Sequence, residues 1–194
     1  EEFVLAHNGS LDPKVALTKE QKESMKVTVD SAYFLTCLER TVGETFVDRI
    51  QKAMDDFTGK FAFLIHSKTT GEDYAIRGFS ANLHIIPIYR QKVKDEKTSE
   101  KIGYVINTDK DHLIAALVLA RNICNMGKNG FDFNTDEVKE LDKESIYLLG
   151  KEATKIGEIK ENFRATYSQA HYGQGTYREG NQDSVAYGAG SGVT

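Results

Sequence analysis

The residue pattern predicts an α+β fold. Three observations carry it: two helical patterns in succession between residues 31 and 57, a switch to strand-like runs from Phe61 to Ile106, and an almost wholly apolar helix ahead of a last hairpin. Blocks of like elements, each with one apolar face, are what such an architecture needs to close a core.

Phe3-Val4-Leu5 opens the first strand, which runs into Asn8-Gly9, a pair that tolerates the positive φ of tight turns. A turn is therefore expected at Asn8-Gly9. Residues 12 to 29 read as a loop with one short helical turn, in which Thr18 and Gln21 have capping-box spacing. Tyr33, Phe34, Cys37 and Leu38 share one face of a helix from Ala32 to Arg40, with Ser31 as its N-cap. Phe46, Ile50, Ala53, Met54 and Phe57 continue the same logic in a second helix, which Gly59 is expected to stop. Strands follow at Phe61 to His66, Tyr74 to Arg77 and His84 to Tyr89. Pro87 cannot donate to a ladder, so an edge or a bulge is expected there. Gln91 to Lys101 reads as a solvated charged loop, and Ile102 to Ile106 as the next strand. Thr108 or Asp109 caps a helix from about Asp111 to Met126 that is apolar almost all round, so burial on more than one side is expected. Gly127 and Gly130 end it. Ser145 to Leu149 and Lys155 to Ile159 form the last pair, the second arm being open to a helical reading.

Length and charge limit the functional classes. A chain of 194 residues holds one domain plus a tail, divided here as 1–161 and 162–194. With 25 basic and 29 acidic side chains the net charge is −4, which gives no broad surface for nucleic acid or anionic membrane. No apolar run reaches membrane-spanning length, and the basic-then-apolar layout of a signal peptide is missing, so an intracellular or particle-incorporated protein is expected. Cys37 and Cys124 lie in apolar helical patterns and read as buried free thiols. His66 and His84 could sit on neighbouring strands, but no third ligand of suitable spacing accompanies them, so no metal is expected. No cofactor is expected either.

Ala6-His7-Asn8-Gly9-Ser10-Leu11 resembles the His-Asn-Gly segment of class II glutamine amidotransferase domains, which are N-terminal-nucleophile hydrolases. Val27-Thr28-Val29-Asp30-Ser31 is similar to the family's acidic residue at the start of the next helix, although Asp30-Ser31-Ala32 stands where Asp-Thr-Glu is usual. Phe57-Thr58-Gly59, Tyr74-Ala75-Ile76-Arg77 and Asn107-Thr108-Asp109 agree in position with later family segments. The resemblance covers roughly residues 3 to 159. It implies an αββα sandwich, of which this chain holds the C-terminal two-thirds. It also implies that the Asn8 amide and the Gly9 N–H form an oxyanion hole and that Asp30 holds the α-ammonium group of glutamine. The alternative for Asn8 and Gly9 is a plain turn, and for Asp30 a helix-start carboxylate favoured by the dipole. His7 reads as a turn residue. The family nucleophile is an N-terminal cysteine, which Glu1-Glu2-Phe3 does not supply, so the expected partner is an N-terminal segment or separate chain carrying that cysteine.

Residues 162–194 contain six glycines, four tyrosines and no Leu, Ile or Met. Such a segment cannot bury enough apolar surface to fold alone, so it is expected to run extended along partner subunits, anchored by Tyr172, Tyr177 and Tyr187. Two functional classes stand side by side. One is a glutaminase domain that is inactive as this chain alone. The other is a non-catalytic assembly protein, for example a virion component, that reuses the fold.

Overall fold

A computed structural model describes residues 2–15, 18–20, 23, 29–91, 99–123 and 130–159. Its elements are β1 (Phe3–Pro13), α1 (Asp30–Arg40), α2 (Phe46–Met54), β2 (Phe57–Ser67), β3 (Asp73–Arg77), β4 (His84–Gln91), β5 (Ser99–Asn107), α3 (Lys110–Ile123), β6 (Phe131–Asp132), β7 (Lys139–Glu140), β8 (Ser145–Leu149) and β9 (Ala153–Glu158), with a 3-10 turn at Thr135–Glu137. The fold is α+β with two antiparallel sheets. The first has the order β1-β2-β3-β8-β9, and the second β5-β4-β6 with β7 also on β4.

Three apolar clusters hold these elements together. Phe34, Leu38, Ile50 and Met54 from α1 and α2 meet Phe57, Phe61, Phe63 and Ile76 of the first sheet. Ala62, Ala75, Leu83, Ile85 and Tyr147 join the two sheets. Ile86, Ile88 and Phe133 receive Leu113 and Leu117 of α3. Aromatic stacking adds direction to the first cluster, with Phe34 and Phe63 at 4.6 Å and Phe46 and Tyr74 at 3.7 Å between ring centres.

Several local expectations need correction. β1 does not turn at Asn8-Gly9 but runs on to Pro13, paired along its length with β2 (Asn8 opposite Ala62, Gly9 opposite Phe61). The positive φ that Asn-Gly foretold is present, at +131° on Gly9, but it distorts a ladder and makes no turn. Ser31 is not the N-cap of α1. Val29 holds that position without a side-chain bond, and Ser31 lies inside the first turn. The second helix ends at Met54, so Phe57 and Gly59 belong to β2. Phe57 keeps the helical spacing because it fills the same cluster from the strand. Thr45 starts α2 with a capping box, its hydroxyl accepting from the Asp48 N–H at 3.1 Å while the Asp48 carboxylate accepts from the Thr45 N–H. Pro87 sits where β4 has β5 on one side and a gap between β6 and β7 on the other, next to a register shift at Ile88/Tyr89. The second arm of the last hairpin is a strand, β9. α3 is buried on one side only, through Leu113 and Leu117, and not on several.

Among the described residues no helix is long and apolar enough to cross a membrane. The proposed cap partner Gln21, most of the charged run 91–101, Cys124 and the whole segment 162–194 with Tyr172, Tyr177 and Tyr187 lie outside the described residues.

Candidate active site

Strand parity decides where the candidate residues go. Successive side chains of a strand point to opposite faces, and Phe3, Leu5 and Leu11 of β1 join the helix-side cluster. His7 has the same parity. Its ring packs edge-on to Phe63, 5.1 Å between centres, and its side chain is 4% exposed. His7 is therefore part of the helix-side packing and not a turn residue. Val4, Ala6 and Asn8 have the other parity and are exposed.

Asp30, the first residue of α1, reaches the outer edge of β1. Its Oδ2 accepts the Leu11 N–H at 2.7 Å, while Oδ1 accepts the Ser31 N–H at 2.7 Å and the Ser31 hydroxyl at 3.2 Å. His7 Nδ1 lies 3.1 Å from Ser31 Oγ and 3.8 Å from Asp30 Oδ1. The cluster is not a catalytic relay. A relay needs the carboxylate on one ring nitrogen and the hydroxyl on the other, whereas here both approach Nδ1 and the buried Nε2 has no hydrogen-bond partner among the described residues. At the far end of α1, Glu39 Oε1 accepts from the Glu2 N–H at 2.7 Å. The two carboxylates of α1 thus clasp both ends of the β1 edge and guard an edge strand.

Burial lowers the pKa of His7, against a smaller opposing pull from the Asp30 carboxylate. For Asp30 burial acts to raise the pKa, but the bonds from Leu11 and Ser31, with His7 nearby, outweigh it and hold the carboxyl below its ordinary value. Both shifts have one sign for stability. The unfolded chain takes up the proton first, so His7 contributes fully above the ordinary histidine value of 6.5 and loses its contribution as pH falls through it. Asp30 adds a second loss at lower pH. The melting temperature is expected to fall between pH 7 and pH 5, and His7→Phe to flatten that part of the profile. A slope unchanged in His7→Phe would place its origin elsewhere.

Asn8 belongs to another cluster. Its Nδ2 donates to Thr108 Oγ1 at 2.5 Å, across a hundred residues of sequence. Thr108 follows β5 in a tight turn in which Asn107 Oδ1 accepts from the Asp109 N–H and Asp109 Oδ1 from the His112 N–H, each at 2.9 Å. Among the described residues no further partner takes the second amide hydrogen or the carbonyl of Asn8. On the same face of β1 a cavity of about 520 Å³ opens between the sheets, lined by Val4, Ala6, Leu64, His66, Lys101 and Tyr104 among others. Lys101, one of the lining residues, pairs with Glu152 at 2.6 Å. Burial opposes its charge, but bonds to Glu152 and Tyr104 prevail and raise its pKa.

The structure therefore joins Asp30 to His7, Ser31 and Leu11, and Asn8 to Thr108, on the two faces of one strand. His66 and His84 lie on strands of different sheets, β2 and β4, and not on neighbours. His66 pairs with Asp73 at 2.9 Å. Among the described residues no three His, Cys, Asp or Glu side chains are placed to hold a metal ion. Cys37 is partly buried in α1, and burial raises its thiol pKa, so the thiolate is scarce. The sequence reading missed the placing of His7. The parity of Phe3, Leu5, His7 and Leu11 was the signal that could have found it.

No protein-family model and no curated protein matches the chain. Among solved structures it is similar to the glutamine phosphoribosylpyrophosphate (PRPP) amidotransferase from B. subtilis complexed with ADP and GMP. The identity is 17% and the TM-score 0.47, over 83% of this chain and 30% of that one. It is also similar to a structure described as the allosteric regulatory enzyme of purine biosynthesis, with 19% identity and a TM-score of 0.46 over 83% and 29% of the two chains. The chain spans about 30% of the length of these solved structures.

Proposed function

We propose that this chain is part of a class II glutamine amidotransferase-like domain, an αββα sandwich of the N-terminal-nucleophile type over residues 1–161. In complete form it hydrolyses glutamine to glutamate and ammonia with a cysteine supplied from outside these 194 residues, by an upstream segment or another chain. The observation that carries the reading is Asn8 beside Gly9. An amide fixed by Thr108 at 2.5 Å stands on an exposed strand face next to a cavity, which is the preorganisation an oxyanion hole requires.

In this reading a thiolate attacks the glutamine side-chain carbonyl, the second Asn8 amide hydrogen and the Gly9 N–H take up the oxyanion, collapse expels ammonia to leave a thioester that water hydrolyses to glutamate, and Asp30, which reaches the outer edge of β1 from the helix side, holds the α-ammonium across that edge. Asp30 already accepts three hydrogen bonds. A carboxylate offers about four acceptor sites, so one remains for the substrate.

The 194-residue chain alone is expected to release no ammonia from glutamine. Addition of the cysteine-bearing segment is expected to restore release, and Asn8→Ala to reduce it by about 10²–10³-fold, the usual cost of one oxyanion donor. Ammonia release by the chain alone that Asn8→Ala abolishes would overturn the external nucleophile. Calorimetry is expected to show glutamine binding in the millimolar range that Asp30→Asn removes.

The three hydrogen bonds that Asp30 already accepts from Leu11 and Ser31 also favour a second reading, in which the fold is kept as a building block of a large assembly. Residues 162–194 then bind neighbouring subunits through Tyr172, Tyr177 and Tyr187. Deleting them is expected to leave the domain folded and abolish assembly, while absence of glutamine binding at millimolar concentration would favour this reading over the first.

A further inference from the structure

The open edge of β5 lacks the devices that guard β1. β5 ends the second sheet and, among the described residues, pairs with β4 alone. Asp30 and Glu39 clasp the outer edge of β1. In β5 the charges of Glu100 and Lys101 stand together at one end. Its extra residue, Ile102, stands with them, since Ile88 faces Gly103 and Tyr89 faces Lys101. Residues 103–107 hold neither charge nor proline, and a bare edge of that kind is a template for another strand. Pro87 shows which backbone groups point outward. A proline is placed in a ladder with its nitrogen turned away from the paired strand. Pro87 lies opposite Tyr104, and on its other side is the gap between β6 and β7. Facing residues of an antiparallel pair alternate between bonded and unbonded. Val105 and Asn107 therefore bond to β4, and the N–H and C=O of Tyr104 and Ile106 turn to the open edge.

The cavity between the sheets runs along this edge, for Gly103, Tyr104 and Ile106 line it together with Val4, Ala6 and Leu64. Its floor is apolar and uncovered: Val4 is 50% exposed and Ala6 is exposed beside it. An unpaired edge above an apolar floor is the form of a site for an added strand, with main chain on the edge and alternate side chains on the floor. Direction selects the occupant. β5 runs toward Asn107, and Thr108 next to it receives the Asn8 amide. An antiparallel strand on this edge starts beside Thr108 and ends beside Lys101, so its first residue arrives at Asn8. The segment 160–194 leaves from another place. The Ile159 N–H donates to Glu144 O and its side chain packs in the helix-side cluster, after β9 at the edge of the first sheet opposite β1.

We propose that the cysteine-bearing segment of the glutaminase reading, on which this inference rests, docks as an antiparallel strand on residues 103–107 of β5. The N–H and C=O groups of Tyr104 and Ile106 bond its backbone. Its alternate side chains cover Val4, Ala6 and Leu64, and its leading cysteine comes to Asn8 and Gly9.

The probe is the peptide Cys-Val-Thr-Val-Thr-Val-Lys, added at millimolar concentration to the full 194-residue chain. Amide exchange at Tyr104 and Ile106 is expected to be fast in the chain alone and to be slowed at least about tenfold by the peptide. Val105, already bonded to β4, is expected to stay unchanged. Val4→Lys alters an exposed position of the floor and is expected to remove the slowing while leaving the melting curve as it was. Direction is read by disulfide capture in a glutathione redox buffer, in a Cys37→Ala, Cys124→Ser background. The peptide's cysteine is expected to be captured by Thr108→Cys and not by Lys101→Cys. No slowing at Tyr104 and Ile106, equal slowing at Val105, indifference to Val4→Lys, or capture by Lys101→Cys each overturns the proposal. So does slow exchange without peptide that vanishes on deletion of residues 160–194 or on dilution, which makes the tail or a second copy the occupant. Ammonia release from glutamine is followed in the same mixtures. Release without slowing at Tyr104 and Ile106 overturns the docking and leaves the glutaminase reading standing, whereas slowing and capture without release support the strand site and count against that reading.

Discussion

Gly59→Ala is expected to destabilise the domain by about 3–5 kcal/mol, and Gly9→Ala by as much. Both residues lie inside the β1/β2 ladder, Gly9 opposite Phe61 and Gly59 opposite Leu11. Their φ angles are +131° and +146°, a region that L side chains rarely enter, at about 1–3 kcal/mol for the strain alone. Space adds to the penalty. A Cβ on Gly9 would stand 1.9 Å from Lys60 O, and one on Gly59 2.1 Å from Ser10 O. Each obstacle is backbone, so no rotamer change relieves it. The strands must part, with the loss of ladder hydrogen bonds at about 1 kcal/mol each. Gly71 is the control. Its φ is +73° but nothing lies within 4 Å of its missing Cβ, so Gly71→Ala is expected to cost about 1–2 kcal/mol. Urea unfolding of the three variants reads the difference. A Gly59→Ala cost no greater than that of Gly71→Ala would refute the steric argument.

These two glycines also mark where the sequence was legible and where it was not. Asn8-Gly9 correctly signalled positive φ, but the rule linking that signal to a hairpin assumes that the chain must reverse. Here β2 supplies a partner for every residue from Phe3 to Pro13, and a paired strand has no reason to turn. Gly59 carried the same ambiguity. Read as a helix stop, it is a second ladder distortion, and Phe57 kept helical spacing only because strand and helix fill one cluster. Elements with their own periodicity, such as α1, β3 and β8, were readable because one face must be apolar wherever they pack. The site was not readable in the same way. Asp30 to Leu11 spans 19 residues and Asn8 to Thr108 spans 100, and such contacts depend on how sheets and helices stack, which no local pattern encodes. α3 is the converse case. Its sequence is apolar almost all round, but the burial inferred from that pattern on more than one side is not found, since Leu113 and Leu117 alone are buried among its described residues.

Arg77→Ala is expected to be comparably severe, at about 3–5 kcal/mol. Arg77 closes β3 and is 3% exposed. Its Nε donates to Ala81 O at 2.7 Å, its Nη1 donates to Leu141 O, and its Nη2 meets Glu140 Oε1 at 2.6 Å. One guanidinium therefore ties the first sheet to the segment that enters β4 and to the segment between β7 and β8. Ala81 and Leu141 are 4% and 0% exposed, so truncation leaves two buried carbonyls without a donor, at about 1–3 kcal/mol each. The ion pair itself matters less. The Glu140 side chain is 50% exposed, and solvent screening limits Glu140→Gln to well under about 1 kcal/mol. Arg77→Lys is expected to recover no more than half of the loss, since a single ammonium cannot reproduce the planar fork that reaches both carbonyls. Urea midpoints for the three variants give the ranking. Glu140→Gln as costly as Arg77→Ala would show that charge pairing, and not carbonyl satisfaction, holds the two sheets at this point.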